Sequence, residues 1–266
     1  SIPVTAFWVA DTARRFPEIV REMESAGHET GTHSLYHETV GDSLFEIPGT
    51  YPLLPEEVQP RIKLATDILE DIVGHKVVSW RCPRLFGGTH VTNALEALGY
   101  ECDATYPMYF YNEQLFPYHP SQENWTEQGS LNLIEIIQFA DMGMESKDDY
   151  GRDKDQWPLY RTQSTEAFIP HIESFMSYLE KNDQSQKPIV LCFYFHPWEF
   201  WEMPEGVIHF GEGGVLPDPF LTKGCGKYCL NQVELLIDWL KSKEAAFLTA
   251  GQCARKWHEI LALQEI

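Results

Sequence analysis

The sequence predicts an α/β protein with a parallel sheet or barrel, and three observations support this prediction. Residues 2–9 form a run of β-branched and aromatic side chains that is typical of a buried strand. Residues 15–27 carry apolar side chains at helical spacing, with Pro17 suited to the first turn and Gly27 to the end. Strand-like and helix-like segments continue to alternate along the 266 residues, enough for one large domain with a full core.

The later elements follow the same alternation. Helices are predicted at 55–73, 89–98, 164–179 and 230–241, with a further helix closing the chain. Strands are predicted at 77–81, 100–104, 131–139, 188–196 and 245–249. Loop insertions are expected at about 105–130, 140–163 and 197–228. The chain contains no internal repeat or low-complexity linker, so a single domain is expected over residues 1–266.

The charge balance restricts the partners of this protein. Forty acidic residues oppose twenty basic ones and give a net charge of −20. Such a charge argues against nucleic acid or anionic lipid as a partner and is compatible with a neutral or cationic ligand, although solubility alone also explains it. The sequence contains no apolar run of the ~20 residues that a membrane helix needs, so no membrane span is expected. The oligomeric state is left open.

The cysteines and one short motif bear on the compartment. Cys225 and Cys229 lie in a Gly-rich loop and are spaced to close a small disulfide, whereas the other four cysteines suit core thiols. Asn124 begins a glycosylation sequon, a pattern that also occurs by chance. These features favour an extracytoplasmic or secreted protein, with a cytoplasmic one as the alternative.

Four residues are the first candidates for chemistry. His33 and His37 are four positions apart, just after a short strand-like run, and two convergent imidazoles supply half of a tetrahedral zinc site. Such a pair taken alone is weak evidence, because histidines on one face of a helix are usually just solvated. Arg81 and His196 each follow a predicted strand. Because functional residues of parallel barrels cluster at the carboxyl ends of strands, these motifs are expected to converge.

These residues belong to three motifs: His-Ser-x-x-His at His33 to His37, Arg-x-Pro at Arg81, and a strand that ends in His196. In this order and spacing, the motifs resemble those of the NodB-homology polysaccharide deacetylases. The resemblance implies a distorted (β/α)7-type barrel and removal of N-acetyl groups from an amino-sugar polymer. It implies that His33 and His37 bind a catalytic divalent metal, with zinc favoured over cobalt or manganese. It also implies that Arg81 orients the catalytic base and that His196 is the general acid.

The same resemblance suggests further site residues. Asp103 is expected to orient His196, although its surroundings depart from the family's motif. Tyr194 stands where the family usually has a leucine of the acetyl pocket, which puts the size of the acyl group in question. A substrate contact is also expected from Arg84. Apart from the resemblance, Trp198 and Trp201 lie in a loop after a predicted strand, where sugar rings can stack on exposed aromatic faces, although such a loop can instead form a hydrophobic lid or a dimer surface.

One part of the family pattern is missing from the chain. The family's first strand carries an Asp-Asp motif that supplies the base and a third metal ligand, whereas Ser1 already stands at the second strand. We expect an N-terminally incomplete chain with a gap beside the strand at residues 4–9. Three alternatives remain open: an inactive carbohydrate-binding relative, a hydrolase of another small C–N amide bond, and an interaction protein whose histidines have no chemical role.

Overall fold

The computed structural model describes residues 2–183, 185, 187–204, 206–211 and 213–264. Within it the chain divides into two compact units. The first unit comprises Ser1–Gln138, Lys187–Cys192 and Phe247–Ile266, and the second unit comprises Phe139–Gln186 and Phe193–Ala246. The single domain expected over the whole chain stays a prediction.

The first unit is built on a five-stranded parallel sheet. Its strands are β1 (Thr5–Trp8), β2 (Glu29–Thr32), β3 (Ser79–Trp80), β4 (Cys102–Asp103) and β5 (Ile134–Glu135). They pair in the order β1-β2-β3-β4-β5, and every neighbouring pair is parallel. Parallel neighbours in chain order, joined by helices, are the pattern of a β/α protein, so the predicted α/β class is confirmed.

The helices are α1 (Ala10–Arg15), α2 (Pro17–Ser25), α3 (Pro55–Val73), α4 (Thr89–Leu98), α5 (Met108–Tyr111), α6 (Leu159–Thr162), α7 (Thr165–Asn182), α8 (Pro219–Thr222), α9 (Lys227–Ser242) and α10 (Ala250–Gln264). The helix predicted at 15–27 is therefore shorter, and Pro17 occupies its first turn as expected. Gly74 and Gly99 end α3 and α4 in the left-handed conformation that glycine adopts without steric cost. In the described residues, no helix combines the length and the apolar character needed to cross a membrane.

Two predicted strands are wrong. Residues 245–249 form no strand, and residues 188–196 contribute only one isolated bridge, between Cys192 and Gln138. The strand predicted at 131–139 shortens to β5. Residues 188–196 are half-buried or exposed, although their run is β-branched and apolar. A ladder requires a partner in register, and the partner is set by the tertiary structure.

The core of the first unit lies between the sheet and its helices. Ile62 of α3, Leu95 of α4 and Trp80 of β3 are fully buried in one cluster. A second cluster joins α1 and α3, and a third packs Trp257 of α10 against β4 and β5. Burial of these apolar side chains contributes about 1.5–3 kcal/mol each and fixes the strand ends that carry the candidate site residues.

The second unit is held by α6, α7, α9 and an aromatic cluster. Phe168 of α7 and Trp157 meet the ring of Phe193, which stacks on Trp157 at 4.5 Å. Ser164 caps α7 by accepting a hydrogen bond from the main-chain N–H of Ala167. A two-stranded antiparallel hairpin pairs β6 (Ile208–Phe210) with β7 (Gly213–Val215).

The cysteines are six free thiols, so the predicted Cys225–Cys229 disulfide is absent. Cys229 lies inside α9, where its buried sulfur contacts the hydroxyl of Tyr160. Cys225 lies before that helix, and its thiol is near the guanidinium of Arg161. Each sulfur therefore has a polar neighbour of its own.

Candidate active site

The two predicted metal-binding histidines lie together after β2. The main-chain N–H of His33 donates to the carbonyl of Trp8 at 2.8 Å, which continues the pairing of β2 with β1. A tight turn follows, in which His37 has φ 62° and its N–H donates to Ser34 Oγ at 3.0 Å. This turn brings the ring centroids of His33 and His37 to 5.0 Å, with the rings inclined by 70°.

The hydrogen bond of His33 defines which of its nitrogens carries the proton. His33 Nδ1 lies 2.8 Å from the carbonyl oxygen of Arg81. A carbonyl only accepts, so Nδ1 carries the proton and Nε2 carries the lone pair. Metal-binding histidines are usually held in this way, with one nitrogen donating to a main-chain oxygen and the other facing the metal. The His33–His37 pair therefore fits a role as two ligands of a divalent metal.

The part of the chain that the structure describes contains no group of three or more His, Cys, Asp and Glu side chains placed to hold a metal ion. Asp11 is an acid of the first unit that could be considered as a third ligand. Its two oxygens instead form ion pairs of 2.6 Å with Arg14 and Arg15, and the hydrogen bond from Arg14 lowers the pKa of this carboxyl. The metal thus stays a prediction that rests on two imidazoles.

Arg81 lies directly after β3 and beside His33. Its Nε donates to the carbonyl of Ala104 at 2.8 Å, and one Nη donates to Gln138 Oε1 at 3.0 Å. The guanidinium also lies 4.5 Å above the ring of Phe7, a favourable cation–π distance. In the described residues Arg81 is thus oriented by neutral groups and the aromatic ring. Its predicted role in holding a catalytic carboxylate stays a prediction.

Arg84 supports the loop that carries His37. Its guanidinium donates to the carbonyl of His37 at 3.1 Å and to Thr39 Oγ1 at 3.3 Å. Arg84 and Leu85 both have positive φ, 62° and 59°, a backbone conformation that costs energy for residues other than glycine. The predicted substrate contact of Arg84 stays a prediction, and its observed contacts are with the histidine loop.

Asp103 ends β4 and lies opposite Glu135 of β5, and both side chains are fully buried. Asp103 accepts a short hydrogen bond from Thr105, and Glu135 accepts from the N–H groups of Thr105 and Tyr106. Burial raises the pKa of Asp103 to about 7, against the opposing effects of Thr105 and Arg81. Burial and the charge of Asp103 raise the pKa of Glu135 well above its usual value.

Each acid of this pair leaves one oxygen, Asp103 Oδ2 and Glu135 Oε2, buried without a hydrogen-bond partner. A proton retained on one carboxyl lets it donate to the other and satisfies both oxygens. The raised pKa values favour such retention near neutral pH. That Asp103 orients His196 stays a prediction.

An acid that contacts His196 is Glu199, in the second unit. His196 precedes a short 3₁₀ turn, Pro197–Phe200, with proline in its first position. The turn brings Glu199 Oε1 to 2.9 Å from the main-chain nitrogen of His196 and to 3.1 Å from Nδ1 of its ring. The His196 side chain is 52% exposed and that of Glu199 only 6%, so the imidazole faces outward from a buried acid.

Glu199 is in turn held by α6. Arg161 Nε and the Tyr160 hydroxyl both donate to Glu199 Oε2 at 2.9 Å, and Arg161 is 2% exposed. Burial raises the pKa of Glu199, but the hydrogen bonds from His196 and Tyr160 outweigh this and leave the pKa below its usual value. The carboxylate is therefore ionised at neutral pH.

The aromatic candidates differ in their surroundings. Trp198 stacks on the imidazole of His196, with centroids 5.3 Å apart and planes 21° from parallel. Trp201 is 75% exposed. The Tyr194 hydroxyl donates to Asp155 at 2.5 Å, and removal of that carboxyl from water raises the pKa of Asp155 to about 6. The substrate contacts predicted for these three aromatic residues stay predictions.

Three residues beside the predicted candidates were not predicted: Glu135 in the first unit, and Arg161 and Glu199 in the second. For Glu199 a signal was present, because His-Pro-x-Glu combines proline in a first helical turn with an acid three positions after the capping residue. No local pattern predicts that Glu135 lies beside Asp103 or that Arg161 binds Glu199, since these partners lie on other elements.

Fold and site together define an α/β protein with two histidines after one strand end and an arginine after the next. The description of the matching family model is polysaccharide deacetylase, and the match covers residues 1–102. These residues include β1 to β3, both histidines and Arg81. The resemblance to the NodB-homology polysaccharide deacetylases is therefore confirmed over this part of the chain.

Solved structures extend the likeness in fold. PuuE allantoinase has a TM-score of 0.58 and 18% identity, with 97% of this chain and 68% of that chain covered. A probable polysaccharide deacetylase from Pseudomonas aeruginosa PAO1 gives the same four values. At this identity the likeness establishes a common fold. No curated protein matches the sequence.

Proposed function

We propose that the protein is a metal-dependent hydrolase that removes N-acetyl groups from an amino-sugar polymer or oligomer. The match of residues 1–102 to polysaccharide deacetylases supports the reaction class. The geometry of His33 and His37 supports the metal, and it is the observation that carries the proposal.

The roles of the chain's own residues follow from their geometry. His33 Nε2 and the ring of His37 would hold the metal, because Nδ1 of His33 is engaged with a main-chain carbonyl. A divalent metal bound there would polarise the amide carbonyl and acidify a water molecule. His196 would donate a proton from Nε2 to the departing amine, since its Nδ1 faces Glu199.

The surface properties favour an amino-sugar substrate. A net charge of −20 attracts the cationic glycan that forms as acetyl groups are removed. Trp201, 75% exposed, offers an aromatic face on which a sugar ring can stack. Tyr194 and its bond to Asp155 would form part of the acyl pocket.

Metal binding and acetate release test the proposal together. The full-length protein is incubated with Zn²⁺, Co²⁺ or Mn²⁺ and with N-acetylglucosamine oligomers. We expect about one metal ion per chain and metal-dependent release of acetate. The double variant His33→Ala/His37→Ala should lose both. The control His28→Ala/His75→Ala removes two histidines of the same unit, His28 beside the main-chain nitrogen of Val4 and His75 beside Glu24. It should retain both metal binding and acetate release.

The outcomes separate the alternatives. Metal binding that is unchanged in the His33→Ala/His37→Ala variant would overturn the metal assignment. Glycan binding without acetate release would indicate a non-catalytic carbohydrate-binding protein. Metal-dependent cleavage of another small amide, with no turnover of amino-sugar oligomers, would keep the hydrolase class and reject the substrate. His196→Ala should fold and bind metal but lose roughly 10²–10⁴-fold in turnover.

A further inference from the structure

The His-Pro-Trp-Glu segment carries its own orienting group for the histidine. Glu199 Oε1 accepts the main-chain N–H of His196 at 2.9 Å and lies 3.1 Å from Nδ1 of its ring. The acid is 4% exposed, so water does not compete effectively for this contact. Because the carboxylate is an acceptor, a hydrogen bond at 3.1 Å requires the proton to be on Nδ1.

The carboxylate of Glu199 cannot easily move away from the ring. Its two oxygens have room for about four hydrogen bonds, and His196, Tyr160 and Arg161 together contribute four contacts. Arg161 is anchored in turn, because its two terminal nitrogens donate to the carbonyls of Lys223 at 2.7 Å and Phe220 at 3.1 Å. The Glu199 carboxylate is thus held by Tyr160 and Arg161 of α6, and Arg161 is itself held by main-chain oxygens.

The ring of His196 is also restricted from its face. Trp198 stacks on it at a centroid distance of 5.3 Å, and the guanidinium of Arg161 lies 5.4 Å from the Trp198 ring. The ring of Trp198 therefore contacts both the imidazole of His196 and the guanidinium of Arg161. Together these contacts define the tilt of the imidazole as well as its protonated nitrogen.

We infer that Glu199, clamped by Arg161 and Tyr160, is the positioning residue of His196. It keeps the proton on Nδ1 and leaves Nε2 as the atom that meets the substrate. The inference deepens the proposed function and rests on it for the role of Nε2. For this step the neutral ring first takes up a second proton from solvent at Nε2. As the C–N bond breaks, its electron pair goes to nitrogen, which takes that proton from Nε2. The ring is left neutral, with Nδ1–H still donating to Glu199.

The tautomer of His196 can be measured without any substrate. Imidazole ¹⁵N spectra of the full chain are recorded at alkaline pH, with His196 assigned by its loss in His196→Gln. We expect a protonated Nδ1 and an unprotonated Nε2 in the wild-type protein. Glu199→Ala should remove this preference, whereas Glu199→Gln keeps an accepting oxygen and should retain it. A proton on Nε2 in the wild-type protein would overturn the inference.

Kinetics give a second readout that a purely structural role would not produce. Glu199→Ala should lower kcat roughly 10–100-fold with little change in KM, the usual scale for loss of a group that orients a functional histidine. Glu199→Gln should recover part of kcat. The control Glu166→Gln removes an exposed carboxylate in the first turn of α7 and should change neither kcat nor the tautomer.

The two proposals fail in different ways. Full acetate release by His196→Ala would reject the proposed role of His196 and leave the tautomer result standing. A tautomer that is the same in Glu199→Ala and in the wild-type protein would reject the positioning role and leave the deacetylase proposal standing. If Glu199→Ala fails to fold, the tautomer of the wild-type protein and the Glu199→Gln variant still decide the inference.

Discussion

Glu199 in the second unit and Asp103 in the first are both buried acids, yet their surroundings give them opposite properties. Glu199 faces a guanidinium, a phenol and an imidazole, and its pKa lies below the usual value. Asp103 faces a second carboxyl, Glu135, and its pKa rises to about 7. Removal from water acts on both carboxyls in the same direction, toward a higher pKa. The opposite signs of the two net pKa shifts therefore come from the neighbouring groups. A buried acid is charged when hydrogen-bond donors surround it. It retains a proton when its neighbour is another acid.

The largest effect should come from removing the cation that compensates Glu199. Arg161→Met leaves the carboxylate buried without its guanidinium, which should lower the free energy of unfolding by about 3–5 kcal/mol. Urea denaturation at pH 7 measures this change. The control Arg255→Met breaks an exposed 2.5 Å pair with Glu101 and should cost less than about 1 kcal/mol. Equal losses in the two variants would show that burial of the Arg161 pair contributes nothing.

The pH dependence of stability should distinguish the two acids by its sign. Asp103 has a folded-state pKa of about 7, above the 3.8 of an exposed aspartate, so the folded protein holds the extra proton between these values. Stability from this group is complete below about pH 3.8 and is lost as the pH rises through 7, with a slope of up to about 1.4 kcal/mol per pH unit. Asp103→Asn should flatten that slope.

Glu199 should act in the opposite direction. Its folded-state pKa lies below the 4.5 of an exposed glutamate, so its contribution is present above pH 4.5 and is lost as the pH falls through the folded value. Unfolding free energies of the wild-type protein, Asp103→Asn and Glu199→Gln from pH 3 to pH 8 test both signs. A stability that rises from pH 5 to pH 7, by an amount that Asp103→Asn removes, would contradict the assignment for Asp103.

A smaller effect should separate a charged acceptor from a neutral one. The buried Tyr160 donates its hydroxyl proton to the Glu199 carboxylate, whereas the buried Tyr118 donates to the carbonyl of Trp125 at 2.7 Å. Tyr160→Phe should cost about 1.5–3 kcal/mol and Tyr118→Phe about 0.5–1.5 kcal/mol, since hydrogen bonds to charged groups are stronger. Thermal unfolding at pH 7 compares the two variants. A greater loss for Tyr118→Phe would contradict a charged Glu199.

Much of the fold could be predicted from local patterns in the sequence. Amphipathic periods define α3, α4 and α9, and glycines mark where the first two of these end, because a helix buries one face and stops where the backbone must turn left-handed. The positions of His33 and Arg81 also follow, since parallel strands bring the residues after their carboxyl ends to one edge. The bounds of the strands do not follow, because a ladder depends on a partner in register.

The electrostatic state of the candidate site residues was decided by the tertiary structure. Asp103 and Glu135 lie 32 positions apart in the chain, and only the register of β4 with β5 places them side by side. Arg161 is 38 positions before Glu199, and only the packing of α6 brings its guanidinium to the carboxylate. The sequence by itself determined where α3, α4 and α9 form and where the first two of them end, because periodicity and turn chemistry act over a few residues. Which acids are charged depends on neighbours distant in the chain, and those neighbours exist only in the folded molecule.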